Sequence, residues 1–238
     1  MKTEPIDLLS SARSMIRIPH KESLWIKAFD PSKRIFVGRS YLLLKRAMDL
    51  SLVILAMPLW LPLFFLIWLL IAVTSPGAPA MFTQARTGKG GRRFSMYKFR
   101  SMVPNAEELK QKYMHLNELQ LPDFKITNDP RVTRVGKILR KTSLDELPQL
   151  LNVLKGEMSL VGPRPTSFGS DTYKLWQTER LDVMPGITGL WQIIGRAQLE
   201  FDERLRLDIA YIDRAGIWFD INILARTIFA VFKQKGAH

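Results

Sequence analysis

The chain has 238 residues, 47% of them hydrophobic, which is enough for a substantial core and excludes a disordered tail or linker. Lysine and arginine number 35 against 22 acids, a formal charge of +13, so the expected partners are anionic: nucleic acid, acidic lipid or phosphorylated small molecules. There is no cysteine, and the three histidines stand apart at 20, 115 and 238, which excludes disulfides, thiolate catalysis and cysteine zinc sites and leaves acid, base and nucleophile work to carboxylates.

Residues 1–40 read as an amphipathic or irregular lead, in which Ile6, Leu9, Ala12, Met15 and Ile16 share a helix face and Arg13 and Arg17 are available to lipid headgroups. Residues 41–80 form a membrane-embedded element. From Leu50 to Val73 none of 24 residues is charged. As a straight helix such a run measures about 36 Å, enough for a bilayer core of about 30 Å. Lys33, Arg34, Arg39, Lys45 and Arg46 precede it, and Arg86, Lys89, Arg92, Arg93, Lys98 and Arg100 follow it. The positive-inside rule asks both ends to stay cytoplasmic, which a straight span cannot satisfy and a helix bent back at Pro58 or Pro62 can. Hydropathy by itself favours a single-pass anchor, and that alternative stays open. Ser75-Pro76-Gly77 closes the element as a turn rather than a cleavage site.

Residues 81–238 are a mixed globular part. Gly88-Lys-Gly-Gly91 matches neither a P-loop nor a dinucleotide fingerprint and reads as a hairpin turn. The pattern predicts a strand over 92–102, an exposed helix over 106–119, a loop over 127–132 and a helix that begins near Asp145 and ends at Lys155-Gly156. Further helices are predicted over 173–183, 201–211 and 218–232, with a turn at Pro185-Gly186 between the first two. The fold class is α+β, mostly helical, with a small β-hairpin or sheet in a catalytic domain that follows the membrane helix.

The chemistry concentrates in Arg140-Lys-Thr-Ser-Leu-Asp-Glu-Leu-Pro-Gln149. Asp145 and Glu146 are adjacent acids in a basic chain. Thr142, Ser143 and Asp145 are all N-cap types, and Pro148, tolerated in a first helical turn, favours a start near Asp145. A plain helix cap therefore competes with a nucleophile or metal ligand, since the helix dipole favours an ionised carboxylate in either role. Around this pair the cations recur near turns: Lys98 and Arg100, then Arg140, then Arg164 between Pro163 and Pro165, then Arg196 after Gly195. Flanking prolines restrict the Arg164 backbone, a preorganisation suited to bidentate phosphate recognition. Asp208 and Asp220 belong to an acid-rich stretch, and if buried each needs a strong partner. No Asp-x-Asp occurs, which weakens a metal-dependent nucleotide-sugar glycosyltransferase reading.

Lys45-Arg46-x-x-Asp49, the apolar segment closing in Ser75-Pro-Gly77, Tyr97-Lys-Phe-Arg-Ser-Met102, the 140–149 run, Gly156-Glu-Met-Ser-Leu-Val-Gly-Pro-Arg-Pro165 and Pro185-Gly-Ile-Thr-Gly-Leu-Trp-Gln192 together resemble the bacterial sugar transferases. These are the monotopic phosphoglycosyl transferases, polyprenyl-phosphate hexose-1-phosphate transferases of the bacterial inner membrane that act in polysaccharide and exopolysaccharide synthesis. The resemblance covers about residues 41–236. It implies that Asp145 attacks the sugar-bearing phosphate of a UDP-sugar, releases UMP and passes the sugar phosphate to polyprenyl (undecaprenyl) phosphate. It further implies Glu146 as base or electrostatic partner, a magnesium ion bound through Asp145, and Lys98, Arg100, Arg140, Arg164 and Arg196 as phosphate and nucleotide clamps, with Asp208 and Asp220 at positions where the family also has acids. The family's membrane element is a re-entrant helix on the cytoplasmic face. One departure concerns the bend, where Leu61 stands before Pro62 in place of the usual serine and Pro58 is additional. About 40 residues before the hairpin suggest the minimal form of the family. The alternative is a non-enzymatic, membrane-anchored basic module for anionic lipid or an acidic partner. Nucleic acid is not an expected partner, because no recognition motif accompanies the basic clusters.

Overall fold

The computed structural model describes residues 26, 29–118, 126–194 and 199–232. The amphipathic face expected over 6–16, and Arg196, lie outside them.

The apolar run forms two helices, α1 (Gly38–Leu55) and α2 (Met57–Thr74), interrupted at Ala56. Pro58 accounts for the interruption. It has no N–H for the carbonyl four residues back, and its ring crowds that carbonyl, so it settles in the first turn of a new helix. Pro62 is carried inside α2, so of the two bend candidates the chain breaks at Pro58. The indole Nε1 of Trp60 donates to the Val53 carbonyl at 2.9 Å across the break. A side chain thus satisfies a backbone carbonyl that would cost about 1–3 kcal/mol if buried without a partner. Among the described residues α2 is the one helix long and apolar enough to cross a membrane.

Both halves of this element lie against the same globular part. On α1, Arg46 donates to the carbonyls of Val153 and Leu154 at 2.6 and 3.0 Å, and Asp49 accepts from the Ser159 hydroxyl at 2.6 Å. On α2, Trp60, Phe64, Ile67 and Ile71 recur at helical spacing as the buried stripe, and the Phe64 ring meets Phe99 at 5.0 Å. The other faces remain apolar and exposed at Leu59, Phe65, Leu66, Leu69 and Val73.

β1 (Met81–Thr87) and β2 (Arg93–Phe99) pair antiparallel, Met81 opposite Phe99 and Thr87 opposite Arg93, with Gly90 and Gly91 at positive φ in the turn. This is the hairpin that the glycine spacing predicts. α3 (Ala106–Lys112) is shorter than expected and passes into a 3-10 turn at Met114–Leu116. α4 (Arg134–Thr142) has no counterpart in the sequence reading. Its cap is Thr133, whose hydroxyl accepts from the Gly136 N–H at 2.9 Å, and Gly136 presses the helix onto the Ser101 carbonyl, where a Cβ would overlap.

α5 (Gln149–Lys155) packs behind β2 through buried Asn152, which accepts from the Tyr97 N–H at 3.0 Å and donates to the Ser95 carbonyl at 2.8 Å. β3 (Ser159–Val161) and β4 (Gly186–Thr188) pair in parallel, so Gly186 begins a strand rather than lying in a turn. A Cβ on Gly186 would overlap the Gly162 backbone, which explains glycine in both motifs. The helix expected over 173–183 is instead two 3-10 segments, Ser170–Thr172 and Leu175–Leu181. α6 (Leu190–Ile194), α7 (Phe201–Arg214) and α8 (Ile217–Phe232) enclose a second core around Tyr211, Phe219, Leu190 and Ile223.

Candidate active site

Helix α4 stops where Ser143 takes a left-handed conformation, φ 58°, and a 3-10 turn at Leu144–Glu146 follows before Pro148 opens α5. Asp145 is therefore not the N-cap that its position suggests. It makes no side-chain capping bond, and it lies in the tight turn between two helices. The turn is anchored on β2: Lys98 Nζ reaches Glu146 Oε1 at 3.0 Å and Asp145 Oδ2 at 3.9 Å. From the other side Arg164 forks onto Glu146, Nη1 donating to Oε2 at 3.1 Å and Nη2 to Oε1. Arg140, in the last turn of α4, is fixed by its Nε donating to the Ser101 hydroxyl at 2.9 Å and lies beside Asp145.

These contacts separate the two acids. Burial opposes the charge of Glu146, but Arg164 and Lys98 outweigh it and hold the carboxyl well below the usual carboxylate range. For Asp145 burial prevails, aided by the neighbouring Glu146 charge against Lys98, Arg140 and Arg164, and its carboxyl is raised. Two adjacent carboxyls pushed apart in this way suit different roles. Glu146 is permanently charged and saturated with donors. Asp145, 9% exposed, keeps a more basic carboxyl on which no hydrogen-bond donor closes among the described residues.

Arg164 owes its pose to more than its prolines. Its carbonyl accepts from Arg180 Nη2, which also donates to Asp208 Oδ2 at 2.7 Å. The loop behind it is held by main-chain contacts: the Thr87 N–H donates to the Thr166 carbonyl at 2.9 Å, and Arg93 Nη1 to the carbonyls of Ser167 and Phe168 at 3.0 Å each. The site is thus one carboxylate with open oxygens in a ring of cations, an arrangement that accepts an anion and presents a nucleophile to it.

The family model described as bacterial sugar transferase matches residues 40–234. The chain belongs to that family. It is 44% identical over 204 residues to the galactosyl transferase CpsE of Streptococcus agalactiae, covering 85% of this chain and 45% of that protein. It is 42% identical over 207 residues to the undecaprenyl-phosphate galactose phosphotransferase of Salmonella typhimurium, covering 84% and 43%. Against the UDP-glucose:undecaprenyl-phosphate glucose-1-phosphate transferase of Escherichia coli it is 40% identical over 205 residues, covering 82% and 42%. The chain spans less than half the length of each of these relatives.

Of the residues singled out in this bacterial sugar transferase, Lys98, Arg140 and Arg164 stand around Asp145 and Glu146. The others do not. Arg100 is directed to the apolar helices, its Nη2 donating to the Ser75 carbonyl at the end of α2, a favourable place for a cation. Asp208, 1% exposed, is paired with Arg180, and burial raises its carboxyl to about 7. Asp220, fully buried, accepts from Lys45 at 2.8 Å, Tyr41 at 3.0 Å and Tyr211 at 2.7 Å, joining α1 to α7 and α8. Among the described residues neither acid contacts the dyad directly, since Asp208 is paired with Arg180 and Asp220 with Lys45.

Sequence reading passed over Arg86 as a flank charge. The hairpin register sets Phe82 opposite Lys98, so Phe82, Gln84 and Arg86 share a face with Lys98, and strand alternation combined with the glycine turn was the signal available. Among the described residues no three acids or histidines converge to cage a metal. Magnesium is commonly held by one or two carboxylates together with substrate phosphates, and Asp145, unlike the saturated Glu146, fits that role.

Proposed function

We propose that this chain is a phosphoglycosyl transferase that moves a sugar 1-phosphate from a UDP-sugar to polyprenyl phosphate through a phosphosugar-aspartyl intermediate. The observation that carries this reading is the divided dyad: Glu146 clamped by Arg164 and Lys98, Asp145 open and more basic. An Asp145 oxygen attacks the sugar-bearing phosphorus, the bond to the bridging oxygen breaks, and its electron pair departs on UMP. An oxygen of polyprenyl phosphate then attacks the same phosphorus, the aspartyl P–O bond breaks and the carboxylate is restored. Glu146 holds Lys98 and Arg164 in place, and these cations, with Arg140, stabilise charge on the transferring phosphoryl group. Asp145 is the residue that would hold a magnesium ion, which would supply further charge neutralisation.

A lipid acceptor calls for a site at a membrane surface. We read α1 and α2 as a re-entrant element on the cytoplasmic face of the bacterial inner membrane. Both flanks are basic and both halves pack on one globular part, which suits entry and exit through one leaflet. Exposed Ile35 and Phe36, which line a groove with Trp218 on α8, add apolar surface beside Lys33, Arg34 and Arg214, a composition suited to the headgroup region.

The test uses purified protein with a panel of UDP-sugars and magnesium, without lipid acceptor. UMP and a phosphosugar mass adduct are expected, and Asp145→Asn loses both, turnover falling by at least about a thousandfold. Retained activity in Asp145→Asn sinks the nucleophile assignment. No adduct, and no turnover when polyprenyl phosphate is added, favours a membrane-anchored module that binds anions without chemistry.

A further inference from the structure

Among the described residues Arg86 forms no ion pair with an acid. Its Nη1 donates to the Pro165 carbonyl at 3.3 Å and its Nη2 to the Gln84 side chain, while Nε is buried without a protein partner. Its principal charged neighbours are Arg164 and Glu146, then Arg93, with the Tyr173 hydroxyl close by. Glu146 is already bound by Arg164 and Lys98, so Arg86 adds an uncompensated charge beside another guanidinium. Burial first, and Arg164 second, lower its pKa to about 10. Like charges held together in a half-buried cleft are stabilised by an arriving anion.

The cations have an order along the site. Phe82 pairs with Lys98 and Arg86 with Phe94, so Arg86 stands four positions along the hairpin from Lys98, toward the glycine turn and away from α2, with Arg164 and Glu146 as its principal charged neighbours. The Arg140 end adjoins the membrane element, because Arg140 bonds Ser101 and the preceding Arg100 bonds Ser75 at the end of α2. The Arg86 end adjoins the loop over 164–173, which Arg93 and Thr87 hold by main-chain carbonyls and in which Thr166 and Tyr173 share a hydrogen bond. A lipid phosphate arrives from the membrane end. A water-soluble nucleotide leaves from the other.

We propose that Arg86 binds the phosphate of the departing nucleoside monophosphate, a subsite that rests on the transfer reading above and extends it. In-line displacement sets the leaving oxygen opposite the attacking one, and the departing phosphate gains a negative charge as the bridging bond breaks. The Arg86 guanidinium, beside Arg164 and farther toward the hairpin turn than Lys98, meets that charge, with Nε and the guanidinium edge as donors.

The experiment measures equilibrium binding of UMP to the full chain in detergent, the KM for UDP-sugar and for polyprenyl phosphate, and thermal stability. Arg86→Gln is expected to weaken UMP and raise the UDP-sugar KM by about tenfold or more, as loss of a charged hydrogen bond does. The KM for polyprenyl phosphate stays within about twofold, and Arg86→Lys recovers part of the loss. Arg93→Gln, which loosens the same loop without removing the Arg86 charge, changes UMP binding less than Arg86→Gln. Unchanged UMP affinity in Arg86→Gln overturns the assignment, as does an equal loss in Arg93→Gln, which makes Arg86 a loop support, or a rise confined to the polyprenyl phosphate KM. Because UMP binding needs no turnover, a wild type that binds UMP yet transfers no sugar breaks the transfer reading. An active Arg86→Gln with wild-type UMP affinity breaks only the subsite.

Discussion

Two parts of the molecule bury carboxylates beside cations, and they do so to opposite ends. Asp220 has no solvent exposure, and its two oxygens are shared among Lys45, Tyr41 and Tyr211, so its bonding capacity is filled by protein. At the dyad Glu146 is likewise bonded by protein, but among the described residues Asp145 beside it has Lys98 alone within 4 Å, at 3.9 Å, and Arg86 makes no ion pair. Burial and ion pairing therefore do not mark the chemistry. At the dyad an open carboxylate and surplus cations stand together, an arrangement suited to an anion.

This contrast can be broken by substitution. The largest effect on folding is expected at the filled site, where Lys45→Met or Asp220→Asn leaves a buried charge without its partner and costs about 3–5 kcal/mol. The measurement is chemical or thermal unfolding in detergent, together with activity per folded molecule. An Asp220→Asn protein that keeps wild-type stability and loses turnover would make Asp220 a participant in the reaction and erase the distinction.

Asp208 offers a second test, through pH. Its folded value of about 7 lies above the ordinary carboxylate value of about 3.9. Below about pH 7 the folded state therefore favours the protonated carboxyl, and the charged pair with Arg180 is the major form only above it. The contribution of Asp208 is fully present below pH 4 and is lost as pH rises to 7, on the order of 4 kcal/mol in all. Wild-type stability should fall across this window relative to Asp208→Asn, in which the position does not titrate. Parallel stability profiles would show that Arg180 compensates the charge completely.

The finest test concerns Asp145. Its carboxyl is raised by burial and held down by Lys98, Arg140 and Arg164. Arg140→Gln removes one of the cations that favour ionisation, so the acid limb of kcat should move to higher pH while Asp145 remains the nucleophile. An acid limb that does not move, or that moves downward, contradicts the placing of Arg140 beside Asp145.

Much of this site is local in sequence and was legible there. The glycines at 88–91 specify a hairpin because a tight reversal needs positive φ, and the hairpin carries Lys98 to the dyad. Pro163 and Pro165 restrain Arg164 wherever the chain goes. The break in the apolar run follows from a proline ring against its own helix, although two prolines offered the bend and only the first takes it. The motif at 140–149 misled in one respect: cap-type residues ahead of Pro148 predicted a helix start at Asp145, whereas Ser143 reverses the chain in a left-handed turn and leaves Asp145 in a tight corner. Local preference favours a cap, but packing of α4 on Ser101 and of α5 on β2 sets the corner.

By itself the sequence determined which groups are available: carboxylates without thiols, cations in excess, an apolar helix with basic ends and turns at its glycines and prolines. Those properties belong to single residues and near neighbours, and the covalent chain conveys them directly. Tertiary structure decided which acid is free. Asp145, Asp208 and Asp220 are chemically identical side chains, and only contacts across 28 to 175 residues, Arg180 with Asp208 and Lys45 with Asp220, give two of them a close cation and leave Asp145 with Lys98 at 3.9 Å. The proposed reactivity rests on what the folded chain withholds from one carboxylate, and no local pattern records an absent partner.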